Sequence, residues 1–350
     1  MTGKAELEPY LVLGQELFRR VYAEDSAEEI HAWLDAQLRR LAGAPNDDAW
    51  MTWADSFDVY EEIMRKRAAL AALPESERKI ISWPWATWRK LIDPLDPGML
   101  AVLSAADGGG KTLYAECLAE HWARHGLNVV YVHFELNRAL MLDRRSVRHT
   151  GIPRRTLKEG RLTGQEEARR ARANDELRAW PGSISYLHTP SWSMERTMAA
   201  VGAAIGDGLC DVFVVDYLEK AAPSNRQLKS HGTNVYAREA DDVEQVKGLA
   251  EKTEVPALLL AQMNKDGKKE SFGGLDRTAI RGAGEKTDRA NVVVLLHRDN
   301  SESAVVRVRV DKNTMGPCGS FEQAMNFVRF GVDDMEPDEA PAPKQGRWEG

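Results

Sequence analysis

The stretch 99–112, MLAVLSAADGGGKT, constrains this chain most. An apolar run over 99–103 stops at small residues, ends in Gly108-Gly109-Gly110-Lys111-Thr112, and passes at once into a helical pattern. Strand, glycine-rich turn, Lys-Thr and helix, in that order, form a phosphate-binding loop. Glycines let backbone N–H groups converge on phosphate oxygens without Cβ interference, and the positive helix end adds to that field. The loop therefore predicts phosphate contacts from Ala106, Asp107, Gly108, Gly109, Gly110, Lys111, Thr112 and Leu113. Lys111 would bridge the β- and γ-phosphates, and Thr112 would ligate Mg2+. One departure stands out: Ala105 occupies the place of the pattern's usual first glycine.

From this loop onward strand and helix patterns alternate, which implies βα units and a mostly parallel sheet. Strands are expected at 99–103, 128–134, 184–187, 212–215, 255–261, 291–296, 304–310 and 324–330, with a turn at 311–319 that holds Lys312 in its first half and Gly316-Pro317 as its signal. Helices are expected at 113–125, 138–178, 194–205 and 235–253. In open sheets of this class ligands bind beyond the carboxyl ends of the strands. Four strands end there in a polar feature: the loop itself, Glu135, Asp216 after VFVV, and Gln262 after ALLLA. A carboxylate after a buried strand can hold Mg2+ through water, which suits Asp216. A second can orient and deprotonate an attacking water, which suits Glu135. The Gln262 amide can sense a γ-phosphate. Together they describe a nucleoside-triphosphate hydrolase.

Four segments are expected: 1–79 a small helical subdomain, 80–98 a linker, 99–332 the nucleotide domain, and 333–350 a disordered acidic tail. In the first, Ser26 to Glu29 fits a capping box and Ser56 is a candidate cap for a later helix, with Val59, Ile63 and Leu70 on or near one face. The linker carries Trp83, Trp85 and Trp88 between prolines. Those tryptophans suit either base stacking or burial in a core or subunit interface, and burial is the preferred reading.

The 350 residues carry a formal net charge of -7, which argues against a uniformly basic nucleic-acid binder but leaves room for a local basic channel. Three widely spaced cysteines fit a reducing compartment rather than a disulfide framework. With no apolar signal core and no apolar stretch long enough for a bilayer, a soluble, cytoplasmic protein without membrane contact is expected.

The order GGGKT, HFEL, VVDYLE, LLLAQMNK resembles the RecA-like ATPase domain of the DnaB family of hexameric replicative helicases. Gly151-Ile152-Pro153 with Gly160-Arg161-Leu162 is similar to the helical segment that follows the family's catalytic Glu. Ile280-Arg281-Gly282-Ala283-Gly284 is similar to its L-R-x-S-G segment, Ala290-Asn291 to its A-D, and 312–317 to K-x-R-N-G-P. The resemblance covers about 11–332, the early helices matching the family's linker region. RecA-type recombinases share the first four motifs; the Asp-Tyr-Leu run and the K-x-x-x-G-P hairpin favour DnaB.

The resemblance implies a RecA-like P-loop fold, α/β with a mostly parallel central sheet behind a small helical subdomain. It implies ATP and Mg2+ as cofactors, Glu135 as general base, Asp216 as magnesium-side carboxylate, Gln262 as γ-phosphate sensor, and Lys312 reaching the neighbouring subunit's nucleotide. It implies a hexameric ring on single-stranded DNA, held by two loops: 221–234 with Arg226 and Lys229, and 265–281 with Lys268, Lys269, Arg277 and Arg281. Both bear Gly and cations, which suits backbone phosphates. Three departures follow: Thr314 stands where the family has an arginine finger, Gly282 replaces a Glu, and the N-terminal part is too short for the complete primase-binding domain. A shortened or divergent relative, with the primase partnership in doubt, is therefore expected. A RecA-like ATPase that remodels or loads other proteins, and an assembly module without turnover, are the alternatives.

Overall fold

The computed structural model describes residues 8–22, 26–27, 29–31, 33–34, 37, 52–74, 78–135, 138–264, 272–280, 287–300 and 302–335. The chain divides into two units, Met1–Pro74 and Glu75–Gly350.

The first unit contains helices α1 (Glu8–Tyr22) and α2 (Trp53–Ala72). Ser26 and Glu29 make the expected reciprocal hydrogen bonds. The cap of α2 differs from expectation. Thr52 and Asp55 form its capping box, and the Ser56 hydroxyl donates to the Trp53 carbonyl instead. Val59, Ile63 and Leu70 are exposed on this helix.

The second unit is built on a nine-stranded sheet: β1 (Leu100–Ala105), β2 (Asn128–His133), β3 (Ser183–His188), β4 (Val212–Asp216), β5 (Ala257–Gln262), β6 (Val292–His297), β7 (Val305–Asn313), β8 (Gly319–Asn326) and β9 (Gly331–Asp334). Its order is β3-β2-β4-β5-β1-β6-β7-β8-β9. The first six strands run parallel, and β7 to β9 extend the sheet antiparallel. The parallel strands other than the edge strand β3 read as near-continuous apolar runs because both faces are covered. Alternation along β1 decides which residue meets which layer. Ala101, Leu103 and Ala105 pack with Leu113, Leu118 and Trp122 of α4 (Lys111–Arg124), after the short α3 (Ala86–Arg89). Leu100 and Val102 pack with Met198 and Val201 of α8 (Met194–Gly206), and with Val243 and Val246, on the other face.

Three expectations are corrected. The pattern over 138–178 folds as α5 (Arg138–Thr150), α6 (Arg154–Glu159) and α7 (Gly164–Arg178), because Pro153 cannot donate a helical hydrogen bond and Gly160 takes a left-handed cap. The stretch 324–330 is not one strand: β8 ends at Asn326, a turn covers 327–330, and β9 carries Asp333 and Asp334, which were expected in the tail. The hairpin turn is tighter than 311–319, since β7 runs to Asn313. Of the tail, 336–350 lies outside the described residues.

The tryptophan segment packs into the larger unit's core. Trp83 and Trp88 are fully buried, and the ring nitrogens of Trp88 and Trp85 donate to the Gln323 side chain and the Val332 carbonyl, both at 2.9 Å. Burial with each indole N–H satisfied is the arrangement a large aromatic with a polar handle requires. Among the described residues no helix is long and apolar enough to cross a membrane.

Candidate active site

The carboxyl ends of the parallel strands open into a cleft of about 450 Å3 whose lining includes Asp107, Gly108, Gly110, Lys111, Thr112, Glu135 and Asp216. The loop that forms its floor depends on its glycines. Gly108 and Gly110 have φ of 73° and 97°, a left-handed region that other residues adopt only at a cost. A Cβ on Gly109 would stand 2.9 Å from the Ala106 carbonyl oxygen, and the Gly109 N–H donates to that oxygen. Helix α4 starts on Gly110 with no side chain capping its first N–H groups, so they face the cleft as an anion site.

Thr112 and Asp216 meet at this floor. The Thr112 hydroxyl donates to Asp216 Oδ1 at 3.2 Å, and the Tyr131 hydroxyl donates to Asp216 Oδ2 at 2.8 Å. Burial pushes the Asp216 carboxyl up to about 6, while the Tyr131 and Thr112 hydrogen bonds and the Lys111 charge oppose that rise. Lys111 is itself buried, its ammonium 4.7 Å from the centroid of the Tyr217 ring. Glu135 is exposed, 3.5 Å from the Lys220 ammonium. Burial raises the Tyr217 hydroxyl well above the usual phenol range, and the neighbouring Glu135 adds to it. The Gln262 amide donates to the Asp107 carboxylate of the loop, and its backbone N–H donates to Glu219 at 3.0 Å.

Other predicted residues lie elsewhere. Lys312 sits within β7, paired with Val293, rather than in the turn. Its ammonium donates to the Thr287 and Asp288 carbonyls at 2.8 and 2.9 Å, and burial lowers its pKa. It does not line the cleft of its own chain. Arg226, in α9 (Asn225–His231), pairs with Asp241 of α10 (Val235–Thr253) at 2.6 Å, while Lys229 is exposed. Arg277 pairs with Asp311 at 3.8 Å. Lys268, Lys269 and Arg281 lie outside the described residues.

Sequence reasoning missed several residues of the site. Tyr131 carries a polar handle in an otherwise apolar strand, and such a group needs a buried partner. Arg298 follows β6 immediately and donates to the Gly108 carbonyl at 2.7 Å. The strand-end rule, applied to β6 as to the others, would have found it. Arg144, Phe327 and Phe330 line the cleft from α5 and from the β8–β9 turn, whose place no local pattern announces.

With this geometry in view, residues 86–330 match the DnaB-like helicase C terminal domain. The chain belongs to the DnaB-like helicase family. This DnaB-like chain is 25% identical over 252 residues to the replicative DNA helicase DnaB of Treponema pallidum (strain Nichols), covering 70% of this chain and 55% of that one. It is 23% identical over 262 residues to replicative DNA helicase DnaB of Leifsonia xyli subsp. xyli (strain CTCB07), covering 71% and 54%. It thus spans about half the length of these curated relatives. In fold it is similar to a solved ATPase domain, with a TM-score of 0.67, 16% identity, and coverage of 79% of this chain and 99% of that one. A DnaB-like replicative helicase, solved with a view to its interactions with primase, gives a TM-score of 0.66, 16% identity, and coverage of 95% and 77%. The RecA-like fold of the DnaB-like domain is therefore as the sequence predicts.

Proposed function

We propose that this chain is an ATP-dependent DNA helicase of DnaB type, hydrolysing ATP at subunit interfaces of a ring to move along single-stranded DNA and separate duplex during replication. The observation that carries the reading is the convergence of Lys111, Thr112, Asp216 and Glu135 on one cleft at the strand ends, in a chain of this family.

The chemistry follows from the residues. The free N–H groups at the start of α4 and the Lys111 ammonium hold the phosphates. Thr112 Oγ1 and Asp216 Oδ1 are hard oxygen donors 3.2 Å apart, a set that fits Mg2+ directly or through water. The ion, when bound, neutralises charge on the β- and γ-phosphate oxygens. Glu135, open to solvent, takes a proton from the attacking water as that water's oxygen bonds to the γ-phosphorus. The bond from γ-phosphorus to the bridging oxygen breaks, and ADP and inorganic phosphate leave. Lys312 lies outside its own chain's cleft, and the family resemblance assigns it to a neighbour's nucleotide.

A second reading, a RecA-like ATPase that remodels or loads proteins without unwinding, is favoured by the intrachain ion pairs that engage Arg226 and Arg277. A forked duplex with ATP and Mg2+ separates the two. Strand separation by the parent protein, lost in Glu135→Gln while ATP binding persists, supports the motor. ATP turnover with no separation at any fork geometry supports the remodeller, and absence of turnover leaves a nucleotide-dependent assembly module.

A further inference from the structure

Behind the phosphate-loop helix lies a second cleft of about 600 Å3, lined among others by His121, Arg124, His149, Trp180 and Arg329. Its volume falls in the range of small-molecule sites. The charges around it do not balance. Three arginines of the lining, Arg124, Arg148 and Arg329, face two carboxylates, Glu120 and Asp333; Arg148 is shared between Glu116 and Glu120, and the His149 ring lies 3.0 Å from Glu120. Asp333 meets Arg329 only at 3.5 Å, with both side chains more than half exposed. Arg89, close by, donates to the Trp83 and Pro84 carbonyls, which cancel no charge. Arg124 forms no ion pair among the described residues. His121 lines the same cleft. Burial, with His125, Arg89 and Arg124 adding to it, lowers its pKa to about 4, and its Nε2 lies 3.1 Å from the Ser82 hydroxyl. Half-buried Trp180, edge-on to His149 with ring centroids 5.6 Å apart, supplies an aromatic surface on the same wall.

We infer that this cleft is a second ligand site, separate from the phosphate loop, for a nucleoside phosphate whose phosphate meets Arg124 and Arg329 and whose base packs on Trp180. Guanidinium forks suit phosphate oxygens, and indole suits a base of any sequence. Three elements border both clefts. Helix α4 gives Lys111 to one and His121 to the other, α5 gives Arg144 and Arg148, and the turn after β8 gives Phe327 and Arg329. Occupancy of one site is therefore expected to shift affinity at the other, reciprocally.

The test titrates AMP into the full-length Lys111→Ala variant by calorimetry, so that the phosphate loop contributes least. One AMP per chain is expected, with affinity falling at least tenfold in Lys111→Ala/Arg124→Ala/Arg329→Ala. Both arginines are exposed, so melting temperature should hold and report an intact fold. A 5′-phosphorylated oligothymidylate then identifies the source of the ligand: displacement of AMP points to a DNA strand, and no displacement points to a free nucleotide. Absence of AMP binding, binding indifferent to Arg124 and Arg329, or binding of polyglutamate in place of AMP overturns the proposal.

Discussion

Tyr131 and Asp216 share one face of neighbouring parallel strands, and the Tyr131 hydroxyl donates to Asp216 Oδ2 at 2.8 Å. The register explains the meeting. Tyr131 pairs with Val214, so Asp216 lies two residues further along and on the same side. The hydroxyl occupies one carboxylate oxygen and leaves Oδ1 toward Thr112. Tyr131→Phe should lower stability by about 1–3 kcal/mol, the cost of leaving a buried acceptor unpaired. It should also weaken nucleotide binding in Mg2+ several-fold while leaving metal-free binding unchanged. Urea unfolding and nucleotide titrations with and without Mg2+ check both parts. Equal losses with and without the ion would show that Tyr131 does not orient Asp216.

Gly110→Ala separates two causes of glycine at the loop's end. A Cβ there would collide with the Met325 methyl, the far end of a flexible side chain that can move. The φ of 97° cannot be relieved in that way. The variant should lose about 1–2 kcal/mol of stability and bind nucleotide more weakly, because a strained loop misdirects its N–H groups. Adding Met325→Ala should rescue little, as measured by melting temperature and nucleotide affinity. Full rescue would mean that the collision, not the backbone, requires glycine.

The parts of this protein legible in sequence are those that local chemistry writes. The phosphate loop could be read because glycine spacing, Lys-Thr and the strand and helix around it act together. Asp216 and Glu135 could be read because a polar residue ending a buried strand has one place to go in such a sheet. The linker boundary was less legible. Trp83, Trp85 and Trp88 resemble a spacer between prolines, yet the partners of Trp85 and Trp88, Val332 and Gln323, lie more than 200 residues away. Strand β8 was misplaced because its residues are mostly half-buried, which blurs the alternation. Arg226 carries the cation expected of a DNA contact, but its partner Asp241 belongs to a helix whose packing no local pattern reveals.

Asp242 carries a testable pH dependence. It is buried on α10 and accepts a 2.6 Å hydrogen bond from the Gln227 amide. Burial pushes its carboxyl from 3.8 up to about 7; the Gln227 bond opposes the rise, and Asp241 and Glu239 add to it. The sign follows from the bound protons. Between about pH 4 and 7 the folded chain keeps a proton that the unfolded chain has released. This group's contribution therefore falls as pH rises through that window and is lowest above 7. The span is of the order of a few kcal/mol. Asp242→Asn, whose carbonyl still accepts from Gln227, should flatten the slope and raise stability at pH 8. Urea unfolding at pH 5 and pH 8 measures it, and identical slopes in parent and variant would remove Asp242 as the cause.

Lys312 poses the sharpest question, because it has a structural place in its own chain and a proposed role in a neighbour's. Its ammonium ties β7 to the Thr287 and Asp288 carbonyls of its own chain, and it lies away from its own nucleotide cleft. If the same ammonium serves a neighbour's nucleotide, Lys312→Ala should cut turnover about 10- to 100-fold, short of the roughly 10³–10⁵ that an arginine finger supplies. A compact ammonium cannot fork across two phosphate oxygens as a guanidinium does. Turnover in the parent should then be slow and should rise with protein concentration as subunits assemble. Lys312→Gln separates the roles, since its amide still donates to the carbonyls but carries no charge. Retained melting temperature with lost turnover assigns the charge to chemistry, whereas retained turnover assigns Lys312 to structure. Mixing then decides which chain receives the charge. Lys111→Ala keeps Lys312 and lacks the loop lysine, and Lys312→Ala is the reverse. In a random equal mixture about a quarter of interfaces pair an intact loop with an intact Lys312 from the neighbour. Activity should return at those interfaces, and two co-assembled variants that stay inactive would show that Lys312 does not act across the boundary.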